Sequence, residues 1–563
     1  MRIPGGTVNM VTKKPLPVKR QAVSFTVGSY DAYRVQADFT GPVNAESTLL
    51  YRVNVGYENA GSFRDQIFNE SVLVAPSVSF LPDEATRVNV DLVYGINNTR
   101  LDRGQAVYGT QDLHSTPISF SLSQPSDHHR LKDFVLNASI SRQLTDRLSI
   151  NASYMKFRWD EDLAEHRTSN QFRNDTTMVM LYGERISEEV TDNVTTYVVG
   201  DVETGAIRHM AMLGFDYITD WSDGSSWGAV GTEAGVADFI LTRPSYIVRR
   251  VDTYTPTSST GYGEGRGEYS TYGIYVQDQM SLGRLKVLVG LRRDEYVDRL
   301  NPGEPGETRV VQTALIPRLG VVYGLGSALN LYGNYSAGFE PVAALYNSNP
   351  IYGGPFDPER SHMMEIGAKG EFLDQRLTVT AAAYQIVKTN VLASANSSAN
   401  PDEMRQRGRE RARGFEVEVA GNVATNLSLI AHYALNRTII SEDLDESLIG
   451  QDKENAPRHL AGAWAKYQIE EGSLAGIGLG AGFHHVASRF TFERANPAAG
   501  LDNLILPGYS VFDAALYYTV NNFRIAANLN NLTDQTYWVG GYASNRIFPG
   551  APRSVLVSVG YSF

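Results

Sequence analysis

The chain has 563 residues, more than one water-soluble core usually holds, since such cores stop growing near ~250–300 residues. It contains 51 glycines, 31 tyrosines and no cysteine, which excludes thiolate metal sites and cysteine nucleophiles, and a net charge of −12 argues against a nucleic-acid partner. Mean hydropathy is −0.25 and no run of ~18 apolar residues occurs, so no membrane-spanning helix is expected. A spanning β-strand needs only ~9–11 residues and turns only alternate ones to lipid, so hydropathy averages away.

In chain order, the opening Met1-Arg2-Ile3-Pro4-Gly5-Gly6 shows no basic stretch followed by an apolar one, so no export signal is expected in it. Strict alternation then begins. Over residues 49–58 one face carries Leu49, Tyr51, Val53, Val55 and Tyr57, the other Leu50, Arg52, Asn54, Gly56 and Glu58. Over 87–94 the apolar set is Val88, Val90, Leu92 and Tyr94. Similar dyads recur over 147–157, 269–279, 376–384, 426–435 and 511–518. The stretch 177–186 reads equally as a loop hairpin or a wall strand.

Connectors alternate as well. Short, turn-like ones (41–47, 81–85, 144–147, 281–284, 324–327, 373–375, 421–425, 521–522) alternate with long polar ones (97–131, 220–268, 338–360, 389–409, 437–458, 487–509, 531–551). Short periplasmic turns alternating with long extracellular loops is the layout of an outer-membrane barrel, and a soluble sandwich array does not sustain it. The expected fold is all-β: a transmembrane antiparallel β-barrel of about 22 strands. The last strand lines Val555, Val557, Val559, Tyr561 and Phe563 on one face and ends on an aromatic. Left open, such an edge invites aggregation; pairing with the first strand removes it.

Enzyme chemistry finds no support. His128-His129 and His484-His485 are adjacent pairs that point to opposite faces of a strand, and neither a Gly-x-Ser-x-Gly elbow nor a His-Glu-x-x-His helix is present. No catalytic and no metal site is expected.

The segment Pro4-Gly5-Gly6-Thr7-Val8-Asn9-Met10-Val11-Thr12-Lys13-Lys14-Pro15 resembles the end of the plug in TonB-dependent receptors, just before the first barrel strand. Further matches are Leu101-Asp102-Arg103-Gly104, the block from Tyr332 to Pro341, Asp357-Pro358-Glu359-Arg360-Ser361, Glu365 to Gly370, Lys388-Thr389-Asn390, Arg411 to Glu418, Asn530-Asn531-Leu532-Thr533-Asp534, Tyr537 and Pro552-Arg553. They cover essentially the whole chain in the family's order.

The resemblance implies a plug remnant and linker over 1–20, with Gly5, Gly6, Asn9, Thr12 and Lys13 as its motif, and a barrel over 21–563 in the Gram-negative outer membrane. It implies energised, plug-gated import of a ferric siderophore. The expected partners are the TonB–ExbB–ExbD complex, the barrel-assembly machinery (which reads Tyr561 and Phe563), and outer-membrane lipid and lipopolysaccharide. Most of a plug, the TonB box and a signal peptide are expected upstream of what this chain carries. No covalent cofactor is implied; iron arrives inside its chelate. Phe339-Glu340-Pro341-Val342 lacks the motif typical of haem receptors, which favours a siderophore over haem or cobalamin. A passive diffusion pore is the alternative, since a barrel of this size conducts if nothing fills it.

Loop aromatics suit a large amphipathic chelate because they combine rigid apolar area with a polar edge. Trp221, Trp227, Tyr246, Tyr254, Tyr346, Tyr352, Trp538 and Tyr542 are the candidates. Arg405, Arg407, Arg409, Arg411 and Arg413 fall at alternate positions, which on a strand puts all five on one face. Lipid tolerates them badly, so they are expected to line the lumen or loop base, facing acidic plug residues.

Overall fold

A dyad strand is stable in a bilayer only if every backbone polar group finds a partner and the apolar face finds lipid, and a closed ring satisfies both. The computed structural model describes residues 8–109, 112–257, 264–395, 403–492 and 503–563. Its wall is an antiparallel ring of 22 strands. It runs from Arg20–Gly28 to Ser554–Ser562, and these two strands pair with each other from Ala22↔Ser562 to Gly28↔Leu556. The predicted edge is therefore absorbed. Val23, Phe25 and Val27 on the first strand, and Val555 and Val559 on the last, stay exposed on the outward face, where lipid covers them. The Tyr561 ring packs against Phe523 at 4.7 Å and Phe563 at 4.8 Å, an aromatic cluster at the periplasmic end.

The periplasmic turns are as short as the sequence indicates. Between Glu264–Leu282 and Leu285–Leu300 only Gly283 and Arg284 intervene. Gly283 has φ 56°, the left-handed conformation that a two-residue hairpin turn needs and that glycine adopts without a Cβ clash. The open question over 177–186 resolves as wall: Thr177–Thr204 is one strand of 28 residues, paired along its length with Leu148–Asn174 and Ile207–Val230. These strands are far longer than the ~9–11 residues a bilayer requires, so their upper parts stand outside it. The connection between Leu148–Asn174 and Thr177–Thr204 is a tight extracellular turn, so the long/short alternation does not hold there.

Inward-facing positions carry the charge. Arg52 donates to Asp38 through Nε (2.8 Å) and Nη2 (2.6 Å), and Arg292 joins Asp216 and Asp294. The chain before the first strand runs along this inner wall: Lys13 pairs with Asp38 at 3.0 Å, Lys14 with Asp91, and the Leu16 amide donates to Thr40 Oγ1 at 2.9 Å. Of the N-terminal motif, Asn9 is exposed and Thr12 half-buried, while Gly5 and Gly6 lie outside the described residues.

Ile366 is 69 % exposed on the outward face, opposite Gly333 and Ala383. Ile366→Arg is expected to destabilise the barrel in bilayers by about 2–4 kcal/mol, read as a lower urea midpoint.

Candidate ligand site at the outer mouth

Two extracellular loops interlock over the mouth. One connects Thr86–Thr99 to His128–Thr145; the other connects Phe523–Asn530 to Ser554–Ser562. Four wall strands, Arg20–Gly28 to Phe68–Asp83, stand between them, so their contact spans part of the opening. Gln105 holds it. Its backbone bridges Ile547 in both directions (2.5 and 2.9 Å), its side-chain oxygen accepts from Trp538 Nε1 at 3.0 Å, and its amide nitrogen donates to the Thr116 carbonyl at 2.7 Å. Gln105 is 0 % exposed, and a buried amide must have partners for both its donor and its acceptor. Val107, Leu113, Leu504, Leu506, Trp538 and Ile547 pack around it.

Beside this joint two arginines hold one carboxylate and a third lies near them. Arg103 grips Glu165 through Nε (2.7 Å) and Nη2 (2.5 Å), and Arg167 Nε lies 3.4 Å from the same carboxylate. Arg546 comes from the opposite loop, whose tip is docked by Asn545 donating to Asn170 Oδ1 at 3.2 Å. Burial depresses the Arg546 pKa, and repulsion from Arg167 and Arg103 adds to it. Its Nε is buried without a hydrogen-bond partner among the described residues, and its guanidinium sits 5.8 Å from the Tyr542 ring. The unmet donor of this cluster is therefore the Arg546 Nε, in a partly desolvated setting. Such a setting favours a bidentate anion, a carboxylate above all.

The predicted aromatics do not gather at one point. Trp227, Tyr246 and Tyr254 join a buried loop core with Phe120, Leu122, Met178, Met180 and Tyr182. There Trp227 donates to Glu184 at 2.6 Å, and the Tyr254 hydroxyl meets His166 Nε2 at 3.0 Å, while His166 Nδ1 meets Asp127 at 2.6 Å. Tyr246 donates to the Ser121 carbonyl at 3.0 Å, and burial pushes its hydroxyl pKa up to about 12. These rings brace the loops. Tyr346 and Tyr352 pack on each other at 5.0 Å in another loop. Trp221 shares the outward strand face of Leu213 and Phe215. Trp538 is 3 % exposed and serves the Gln105 joint. Tyr542, half-exposed against Phe492 at 5.0 Å, is the one that borders the arginine cluster.

The arginine run also departs from expectation. Arg405 and Arg407 clamp the fully buried Asp443 carboxylate, and Arg407 also holds Glu410 at 2.6 Å. Over 409–421 pairing to the preceding strand is regular, so Arg409, Arg411 and Arg413 share the face of Phe415, which is 44 % exposed to the outside of the barrel. They do not line the lumen; the reason is simple parity with an apolar belt residue.

Glu165 and Arg167 sit two residues apart on Leu148–Asn174, but Arg546 lies on a distant loop that only the interlock brings to them, so no local signal marked the cluster. Arg103 alone fell in a recognised stretch, Leu101 to Gly104.

Four residues below Glu165 on the same strand face, Glu161 accepts from His129 Nε2 at 2.9 Å and Arg185 Nη2 at 2.9 Å. Burial pushes its carboxyl up, but these partners outweigh that and hold it at about 2, below an ordinary 4.5. A depressed carboxylate contributes stability above its unfolded pKa and loses it as pH falls through the folded one. The extracellular strand ends are therefore expected to loosen between about pH 4.5 and 2, seen as faster proteolysis or amide exchange there. Glu161→Gln should abolish that pH dependence at a cost on the order of 2–3 kcal/mol.

Comparisons with known proteins agree with this architecture. The family described as TonB dependent receptor-like, beta-barrel matches residues 75–532. The metal-pseudopaline receptor CntO of Pseudomonas aeruginosa is 30 % identical over 99 % of this chain and 77 % of its own length. The ferrichrome outer membrane transporter/phage receptor of Escherichia coli K12 is 23 % identical over 100 % of this chain and 76 % of its own. In three dimensions, the ferric-catecholate import receptor Fiu of E. coli K12 superposes with a TM-score of 0.85 at 21 % identity, covering 100 % of this chain and 84 % of that one. The chain belongs to the TonB-dependent receptor β-barrel family and is an outer-membrane protein.

Proposed function

We propose that this barrel captures an anionic metal chelate of the siderophore class at its outer mouth, for import driven by the TonB complex. The carrying observation is the buried Arg546, brought beside the Arg103–Glu165 pair with its Nε lacking a hydrogen-bond partner among the described residues and with Tyr542 at its border. A metal complex bearing a free carboxylate supplies Arg546 with an acceptor, and the tyrosine face supplies apolar contact for the chelate's organic frame. Among the described residues no group of three or more His, Asp or Glu side chains is placed to hold a bare metal ion, so the reading assigns recognition to the chelate's ligand atoms and charge. Both the metal-pseudopaline receptor and, at lower identity, the ferrichrome transporter are matched over essentially the whole chain, which supports a metal chelate as the ligand. The same reading makes residues 1–20 the end of a plug with its linker and 21–563 the transport barrel, in keeping with Lys13 and Lys14 seated on inner-wall acids.

The test is equilibrium binding followed by tryptophan fluorescence, with metal–pseudopaline and ferrichrome as probes. The metal–pseudopaline complex is expected to bind the more tightly. Arg546→Gln and Arg167→Gln should each weaken it about tenfold, the equivalent of one charge-assisted contact of ~1.5 kcal/mol, and Arg546→Lys should weaken it less. Equal affinity of wild type and both glutamine variants would remove the cluster from the site.

A further inference from the structure

Between Thr308–Gly324 and Leu329–Glu340 the wall comes apart. The two strands pair from Gly324↔Asn330 to Arg318↔Ser336 and no further, although both continue toward the loops. Residues 308–317 stay paired to Leu285–Leu300 on one side, and 337–340 to Glu359–Phe372 on the other, so a fork opens between two intact half-walls. Among the described residues no backbone hydrogen bond crosses it. Pro317, the first residue past the last pair, brings no N–H to either neighbour. The chain after Glu340 explains the parting. Gln312 clamps Val342, donating from Nε2 to its carbonyl at 2.8 Å and accepting from its amide at 3.1 Å, and Asp298 accepts from the Ala344 amide at 2.7 Å. Gln312 and Asp298 share the inward face of Arg292, so the clamp draws the strand end off the wall and into the ring.

Side chains make this fork a slot with two ends. At the lipid end Leu315 and Leu319 stand exposed on the outward face, beside a cavity of about 230 Å³ lined by Pro317 and Tyr335. Arg293 lies directly across the ladder from Leu315, so the slot opens at the upper edge of the apolar belt. At the lumen end a second cavity, of about 500 Å³, is bordered by Arg292 and Arg318. Ile316 and Ala337 line both, so the two cavities meet across this pair of side chains. The fully buried Phe339 packs on Tyr296, Ala314 and Ile316 and closes the slot beside them. Two chemistries therefore coexist in the fork: strand edges whose N–H and C=O groups lack ladder partners, and an apolar lining. A bare hydrocarbon meets the second and leaves the first unmet. An acyl chain joined through an amide meets both, since the amide supplies one donor and one acceptor and the methylenes match the lining.

We infer that the fork is a lateral port for the amide-linked acyl chain of an amphiphilic metal chelate. The metal-bearing head lies inside the ring, and the chain passes between Ile316 and Ala337 to the lipid side. An unbroken wall strands such a chain in the lumen, among inward charges such as Asp216, Arg292 and Asp294, where its methylenes find no apolar cover. The inference rests on the reading of the barrel as a chelate receptor and adds the class of chelate.

The test compares two ferric chelates with the same head, succinyl-ferrioxamine B and dodecenylsuccinyl-ferrioxamine B, on the full chain in phosphatidylcholine vesicles. Once partitioning into protein-free vesicles is subtracted, the hydrocarbon chain is expected to tighten binding about tenfold, equivalent to burying about two methylene groups. The protein has no cysteine, so Pro317→Cys with Ala337→Cys places one staple at the first positions past the last pair. Oxidised, this variant is expected to lose the tenfold advantage and keep its affinity for the succinyl chelate. Reduction should restore the advantage, which also shows that the variant folds. A diazirine midway along the dodecenyl chain should label residues 308–317 or 337–340 of the unmodified protein. Labelling confined to other strands, or an advantage that survives oxidation, would overturn the inference. The two failures separate. Absent binding of the succinyl chelate counts against capture at the mouth, whereas the labelling pattern of the chain judges the fork whether or not that chelate binds.

Discussion

Everything in this molecule depends on the seven-pair seam between Arg20–Gly28 and Ser554–Ser562. A bilayer interior offers no water to an unpaired N–H or C=O, and each unmet group there costs several kcal/mol. Once the seam closes, one face of every strand must meet lipid and the other must meet whatever fills the ring. Side-chain parity then decides the environment of each residue. The same parity that sends Phe25 and Val559 outward sends Asp38, Arg52 and Asp91 inward, where they pair with one another and with Lys13 and Lys14.

Charge is distributed by the same logic. The inner wall holds acid–base pairs such as Arg52–Asp38 and Arg292–Asp216, which a closed, partly desolvated space requires. Above the membrane the strands Leu148–Asn174 and Thr177–Thr204 continue as a free-standing sheet, and there burial comes from loops: the core around Met178, Met180 and Tyr182 is roofed by Phe120, Phe239 and Tyr246.

The barrel was legible in the sequence because its signal is local. Period-two alternation needs only the residues of one strand, so segments such as 49–58 and 87–94 revealed both their structure and their two faces. The terminal aromatic strand was legible for the same reason. What escaped was set by neighbours distant in the chain. Thr177–Thr204 is covered by loops at one end and by lipid at the other, so no single pattern runs along it. Of the five alternate arginines, Arg409, Arg411 and Arg413 share one face, while Arg405 and Arg407 turn to Asp443. Their side of the wall, however, could be read only from their phase relative to Phe415 and Leu435, and those apolar residues point outward. Trp538 looked like a binding aromatic because exposure cannot be seen in a loop sequence; its partner, Gln105, lies 433 residues away. Arg546 is brought near Glu165 over a comparable separation, and no spacing rule connects them.

External loops of a barrel ordinarily diverge one at a time, since each hangs from its own hairpin. Gln105 removes that independence for two of them. It donates to one loop, accepts from a tryptophan on the other, and holds Ile547 by both backbone groups. A change of length or sequence around Trp538 is thus also a change in the seating of Arg103, and the reverse holds for the residues near Leu113. The two loops form one heritable unit. Descendants of this gene can retune specificity only by altering both loops in step, or by first giving up the joint.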